Sequence, residues 1–125
     1  MLVDTDVLVS LLRGRESARE LVRRAAEVEL SAVTYMELAQ GVRNRAELQR
    51  LRRTVGLQGW RVLPVTEPIS HRATTYIENH ALTHGMRVAD ALIAATAVES
   101  ERTLVTGNVR HYRFVPGILL ESYRP

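Results

Sequence analysis

Aspartate is scarce in this chain of 125 residues: it occurs only at Asp4, Asp6 and Asp90. Two of the three belong to an Asp-Thr-Asp triplet directly after the apolar opening Met1-Leu2-Val3. A carboxylate placed where a core strand runs out is costly to bury unless it is paired or bound to a metal. Asp also caps helices and shapes turns, but the position after an apolar strand weighs towards the functional use. Asp90 opens an Ala-rich apolar stretch, where a helix dipole favours an acid. Glu37 follows Thr34 at the spacing of a capping box, which would let it reach back to the N-cap amide. Alone, Asp90 and Glu37 are as well explained by helix chemistry as by catalysis. Brought together with Asp4 at one end of a sheet, they would repel one another unless a cation sat among them. All-oxygen donors without cysteine suit Mg²⁺ or Mn²⁺ rather than zinc.

The other residues with chemical potential narrow the field. His80 and His84 have i,i+4 spacing, but without an internal acid or a third ligand nearby they read as surface histidines rather than a zinc pair. The chain has no Cys, which excludes disulfide scaffolds, thiolate zinc sites and cysteine nucleophiles. All 17 basic residues are Arg, so Schiff-base and P-loop chemistry, both of which need Lys, are excluded. The same absence counts against a D-x-D phosphatase and a phospho-acceptor receiver domain, which the Asp-Thr-Asp strand end otherwise invites. No G-x-S-x-G, G-x-G-x-x-G or Walker pattern occurs. The net charge of +3 and pI of 9.9 favour an anionic partner only weakly, since a genomic bias towards Arg gives the same excess.

The elements that must position these residues follow from patterning. With 46% hydrophobic and 25% charged residues, the chain is long enough for one core and reads as a single domain, residues 1–125. Strands are expected over Met1–Asp4, Glu29–Val33, Trp60–Leu63 and Thr103–Thr106, with a last one entered from Gly117–Leu120. Val7–Val9 reads as β-branched. Helices are expected over Glu16–Val28, Thr34–Val42 (capped by Thr34), Arg45–Val55, Ile69–Leu82 and Ala89–Glu101. Alternating short strands and helices imply an α/β fold with a mainly parallel sheet covered on both faces. In such sheets ligands sit beyond the carboxyl ends of the strands, which selects Asp4 and Asp6, Thr34–Glu37 and Asn108. No apolar run approaches the roughly 20 residues that span a bilayer, and no signal peptide is read, so the expectation is a soluble cytoplasmic protein.

Four segments in register resemble the PIN-domain family, and most of all the VapC-type toxins of bacterial toxin–antitoxin pairs: Leu2-Val-Asp-Thr-Asp-Val-Leu8, Ser31-Ala-Val-Thr-Tyr-Met-Glu37-Leu, Val88-Ala-Asp90-Ala-Leu-Ile-Ala-Ala-Thr-Ala97 and Thr103-Leu-Val-Thr-Gly-Asn108-Val-Arg-His-Tyr112. The resemblance covers essentially the whole chain. It implies a three-layer α/β/α sandwich and a Mg²⁺- or Mn²⁺-dependent endoribonuclease. Carried over by position, Asp4, Glu37, Asp90 and Asn108 are the catalytic set, with Asp4 and Asp90 the direct metal ligands. Asn108 stands where many members have Asp, and Tyr112 where Phe is usual, which reads as packing. Asp6 stands where Ser or Asn is common and is positioned to make up the charge missing at Asn108. Thr5, Asp6 and Thr106, with Arg87 and Arg110 at the rim, are expected to contact RNA; Arg13 and Arg15 are further rim candidates. The resemblance also implies an antitoxin partner and a homodimer. The alternatives are a catalytically weak PIN-like module that binds RNA or protein, and, further off, the D-x-D phosphatase.

Overall fold

In the computed structural model, which describes residues 1–125, five strands of at most three residues form one parallel sheet. They are β1 (Leu2–Val3), β2 (Glu29–Ser31), β3 (Arg61–Leu63), β4 (Leu104–Thr106) and β5 (Leu120–Ser122). Their order across the sheet is β3-β2-β1-β4-β5, every neighbouring pair being parallel. The chain steps outward from β1 in one direction to β2 and β3, then returns to the other side for β4 and β5. The seam between β1 and β4 is thus the switch point of the sheet, where its C-terminal edge opens a crevice.

Side-chain alternation sends successive strand residues to opposite layers. Leu2 and Leu104 pack on one face with Ile69, Ala73 and Tyr76 of α5 (Glu67–His84) and with Ala91, Ile93, Ala94, Ala95 and Ala97 of α6 (Val88–Glu99). Val3, Leu30 and Val105 pack on the other. There they meet Val7 and Leu8 of α1 (Thr5–Leu12), Leu21 of α2 (Glu16–Arg24), Leu38 of α3 (Ala32–Gln40) and Leu51 of α4 (Arg45–Gln58). The architecture is the expected α/β/α sandwich. The Ala-rich sequence of α6 lets it lie close against α5 and the sheet; its middle turns are almost wholly buried.

Two local expectations are corrected. Val7–Val9, read as β-branched, lies inside helix α1, because the Asp4 side chain accepts from Thr5 N–H and caps a helix there and because Val7 and Leu8 gain full burial on its inner face. Tertiary packing overrides β propensity here. Thr34 is not an N-cap: α3 begins earlier, capped by Ser31, whose Oγ accepts from Val33 N–H at 3.1 Å. Thr34 is therefore in the helix interior and the Thr34–Glu37 capping box does not exist. Other boundaries shift by a few residues; α4 and α5 run on to Gln58 and His84, each closed by a glycine in the left-handed region, Gly59 (φ 67°) and Gly85 (φ 66°), the usual helix stop.

One acid is buried far from the crevice. Glu29, at the start of β2, is 1% exposed and is held by Arg102 Nε at 2.7 Å and an Arg61 guanidinium nitrogen at 3.4 Å. Removing one partner of such a pair strands a buried charge, whereas replacing the pair by apolar groups is nearly neutral. Arg102→Met is expected to lower stability by about 2 kcal/mol, and Glu29→Met combined with Arg102→Met to recover most of that loss. Urea midpoints of the two variants check it; equal midpoints for single variant and unaltered protein refute the role given to this pair.

Candidate active site

At the C-terminal end of β1 the chain turns straight into α1, and Asp4 occupies the corner. It is 5% exposed. Its Oδ1 takes the Thr5 N–H at 2.8 Å and its Oδ2 takes the Thr106 hydroxyl at 2.7 Å, so the carboxylate fastens β1, α1 and the end of β4 together. Burial pushes its pKa up to about 6, a rise to which the Asp6 charge adds and which the Thr106 hydroxyl and Thr5 amide oppose.

Asp6 lies one helical step further and faces the loop after β4. Its Oδ2 accepts from Gly107 N–H at 2.9 Å and from Asn108 Nδ2 at 3.2 Å, while its Oδ1 is buried with no partner. Burial also raises its pKa, against the Gly107 hydrogen bond. Asn108 donates its own N–H to Thr106 Oγ1 at 2.9 Å, so Asp4, Thr106, Asn108 and Asp6 form a continuous chain of hydrogen bonds across the β1–β4 seam. Gly107 is required for this: a Cβ there would lie 2.5 Å from Asp6 Oδ2.

Glu37 approaches from α3. It is exposed, and its Oε1 takes the Thr5 hydroxyl at 2.7 Å. Thr34 Oγ1 lies 3.1 Å from the same Thr5 oxygen, and since a hydroxyl has one proton to give, Thr34 is placed to donate to Thr5 in turn. Asp90, in the first turn of α6, is half-buried; Tyr112 Oη stands 3.5 Å from its Oδ1 and His111 Nδ1 3.8 Å from its Oδ2. The expectation for Tyr112 is packing alone. It is packed, at 1% exposure, but its hydroxyl also faces Asp4, so one buried donor stands between two acids. Burial and the charges of Asp4 and Asp90 push this phenol well above its ordinary pKa, which keeps it a proton donor. The signal in the sequence is the Tyr itself, at a position where the motif has Phe. Arg13, Arg15, Arg87 and Arg110 are exposed and without ion pairs; Arg87 directly precedes α6 and Arg110 lies in the short 3₁₀ turn Val109–His111.

The family model for the PIN domain matches residues 1–115. The ribonuclease VapC10 of Mycobacterium tuberculosis is 35% identical over 135 residues, an alignment that takes in 100% of this chain and 98% of that protein. The chain belongs to the PIN-domain family. Among solved structures, FitAcB from Neisseria gonorrhoeae superposes with a TM-score of 0.74 at 28% identity, covering 95% of this chain and 94% of that one. A toxin–antitoxin complex from Klebsiella pneumoniae superposes with a TM-score of 0.79 at 24% identity, covering 94% of each chain, and shares the fold.

Whether this PIN domain's acids fit a cation can be judged from their surroundings. No three His, Asp or Glu side chains stand close enough to hold a metal ion unaided. Mg²⁺ does not need three: it keeps several waters and commonly uses one or two carboxylates together with substrate phosphate. Asp4 with its desolvated carboxylate, Asp90 half-open on the other side of the Tyr112 hydroxyl, and an unpartnered buried oxygen on Asp6 fit that pattern, and the donors are all oxygen.

Two outcomes follow for this PIN domain. Because the folded-state pKa of Asp4 lies above its unfolded value of 3.8, the folded state holds the extra proton, so the Asp4 contribution to stability is fully present below pH ~4 and is lost as pH rises from there through about 6, by about 3 kcal/mol. Asp4→Asn should flatten that decline and be the more stable protein at pH 8. Urea unfolding in a chelator from pH 4 to 8 checks it, and parallel curves for the two proteins refute it. Gly107→Ala should displace the Asp6 carboxylate and cost about 1 kcal/mol, and adding Asp6→Ser to Gly107→Ala should restore the loss; melting curves of the single and double variants and the unaltered protein decide.

Proposed function

We propose that the chain is a VapC-type endoribonuclease toxin that depends on Mg²⁺ or Mn²⁺, acts in the cytoplasm, and is held in check by a cognate antitoxin. The observation that carries this reading is the pairing of Asp4 and Asp90 around the Tyr112 hydroxyl at the switch point of the sheet, in a chain related along its whole length to a protein named as a ribonuclease. The toxin–antitoxin complex that shares the fold supports the antitoxin partner; the homodimer is carried by the family resemblance alone. No helix is long and apolar enough to cross a membrane.

Asp4 and Asp90 would hold the cation. When bound, it supplies Lewis-acid charge at the scissile phosphate and at the leaving oxygen. Glu37 is the acid free to take a proton from an attacking water: its carboxylate is exposed, and the Thr5 hydroxyl fixes Oε1 while leaving Oε2 open. Asn108 and Thr106 keep the β4 loop in register with α1; the Thr106 hydroxyl gives its one proton to Asp4, so Asn108, through the Nδ2 proton not given to Asp6, is the neutral donor for a phosphate oxygen. Asp6, engaged by Gly107 and Asn108, holds that loop. Arg87 and Arg110, unpaired at the rim, are placed to grip the RNA backbone, where guanidinium suits phosphate.

A second reading, a PIN-like module that binds RNA without cutting it, draws on the absence of any three-acid cluster and on Asn108 in place of an acid. One experiment separates the two. Incubated with a labelled RNA pool and Mn²⁺, the unaltered protein should produce fragments, a chelator should abolish them, and Asp4→Ala or Asp90→Ala should each slow cleavage roughly a hundredfold or more. Digestion equal in unaltered protein and Asp4→Ala would sink the nuclease reading; RNA binding without cleavage would establish the second.

A further inference from the structure

The acidic seam has a basic neighbour. Across the β4 loop lies an open cavity of about 630 Å³, within the range of about 300–1,000 Å³ usual for ligand clefts. Gly107 and Asn108, the two residues that donate to Asp6, form one wall, so cavity and acids share a boundary. The rest is lined by Arg110, Arg113, His84 and Phe114 among others, and no acidic residue lines it. Its field is thus opposite in sign to that of the acids a few residues away, and it favours an anionic occupant.

Its second feature is a stacked pair of rings. His84 lies parallel to Phe114, centroids 4.1 Å apart and planes inclined by 13°, and is held from its other end by the Thr83 hydroxyl at 2.9 Å from Nδ1. His80 closes on Phe114 at 4.8 Å. The two histidines therefore serve neither a zinc site nor a merely solvated helix end: Phe114 wedges against both, and His84 is an ordered planar group, exposed at the end of α5, on the edge of a basic cavity.

We propose that this cavity is a nucleotide subsite, in which a base flanking the scissile phosphate stacks on the His84–Phe114 pair while Arg110 and Arg113 take the adjoining phosphates. The inference rests on the RNA-cleaving reading above. Planar rings beside guanidinium groups are the means by which single-stranded nucleic acid is held without reading its sequence. A peptide carboxylate would use the arginines and leave the ring stack idle, which favours RNA over a protein segment as the occupant.

The test uses the full-length chain carrying Asp4→Asn, so that RNA is bound but not cut, and a short single-stranded RNA with 2-aminopurine at successive positions. Stacking quenches this fluorescent base. Quenching is expected at one position, His84→Ala should abolish it and weaken binding roughly tenfold, and His84→Phe should restore both; His84 is exposed, so melting temperatures should stay together. Unchanged binding and quenching in His84→Ala overturn the proposal, as does a loss seen only in the complex with the antitoxin, which would assign the cavity to the partner protein. With Asp4 intact, a His84→Ala protein that cuts RNA with unaltered KM removes this subsite and leaves the nuclease reading standing, whereas an unaltered protein that neither binds nor cuts RNA removes both.

Discussion

The carboxylate of Asp4 is the fixed point of this molecule. Its main-chain N–H pairs β1 with Val105 of β4, one of its oxygens starts α1 and the other holds the end of β4. A central strand of only two residues has little ladder of its own to align it; the side chain that follows it supplies the missing ties. The same burial that makes Asp4 a clasp makes it an uneasy anion, raised to about 6. A group with two hydrogen bonds and a desolvated charge gains from any cation that reaches it, so on the metal-dependent reading proposed above the clasp and the cation site are one group under two conditions.

Around that point the charges are sorted by layer and edge. The buried acid that has no part in the crevice, Glu29, has its arginines. The acids at the C-terminal edge are given hydroxyls, amides and a phenol instead, neutral donors that hold geometry without cancelling charge. The arginines nearest that edge carry no ion pairs. Such a division leaves the acids' negative charge uncompensated by the protein itself, and polar groups arranged this way favour binding of ions over stability, as strained or unsatisfied sites tend to do.

Much of this is legible in the residues. The alternation of short apolar runs with helical stretches implies the parallel sandwich, and α5 ends within two residues of the expected Leu82. Asp4 stands out because an acid where a core strand ends is costly to bury, and the structure gives it the helix cap that is its plainer explanation as well. What cannot be read is anything dependent on partners distant in the chain. Val7–Val9 are β-branched and helical because α1 must bury them against the sheet. Thr34 looks like a cap since Glu37 follows at three residues, but Ser31 begins the helix first, and Glu37 turns to Thr5, 32 residues away. Tyr112 meets Asp90 only through the fold, 22 residues back along the chain. His80 and His84 offer a metal spacing; Phe114, far on in the chain and silent in the sequence, decides how those rings lie.

The contact between positions 6 and 107 has a historical consequence. Asp6 occupies the volume that a Cβ at 107 would need, so what position 107 can carry depends on what stands at position 6. A lineage acquires a side chain in the β4 loop at least cost after, or together with, a shorter residue at the start of α1. The Ser common at position 6 of the resembling motif is the kind of replacement that opens this route, whereas Asn, as long as Asp, does not. The dependence runs one way: position 6 can shorten alone, and position 107 then inherits the room.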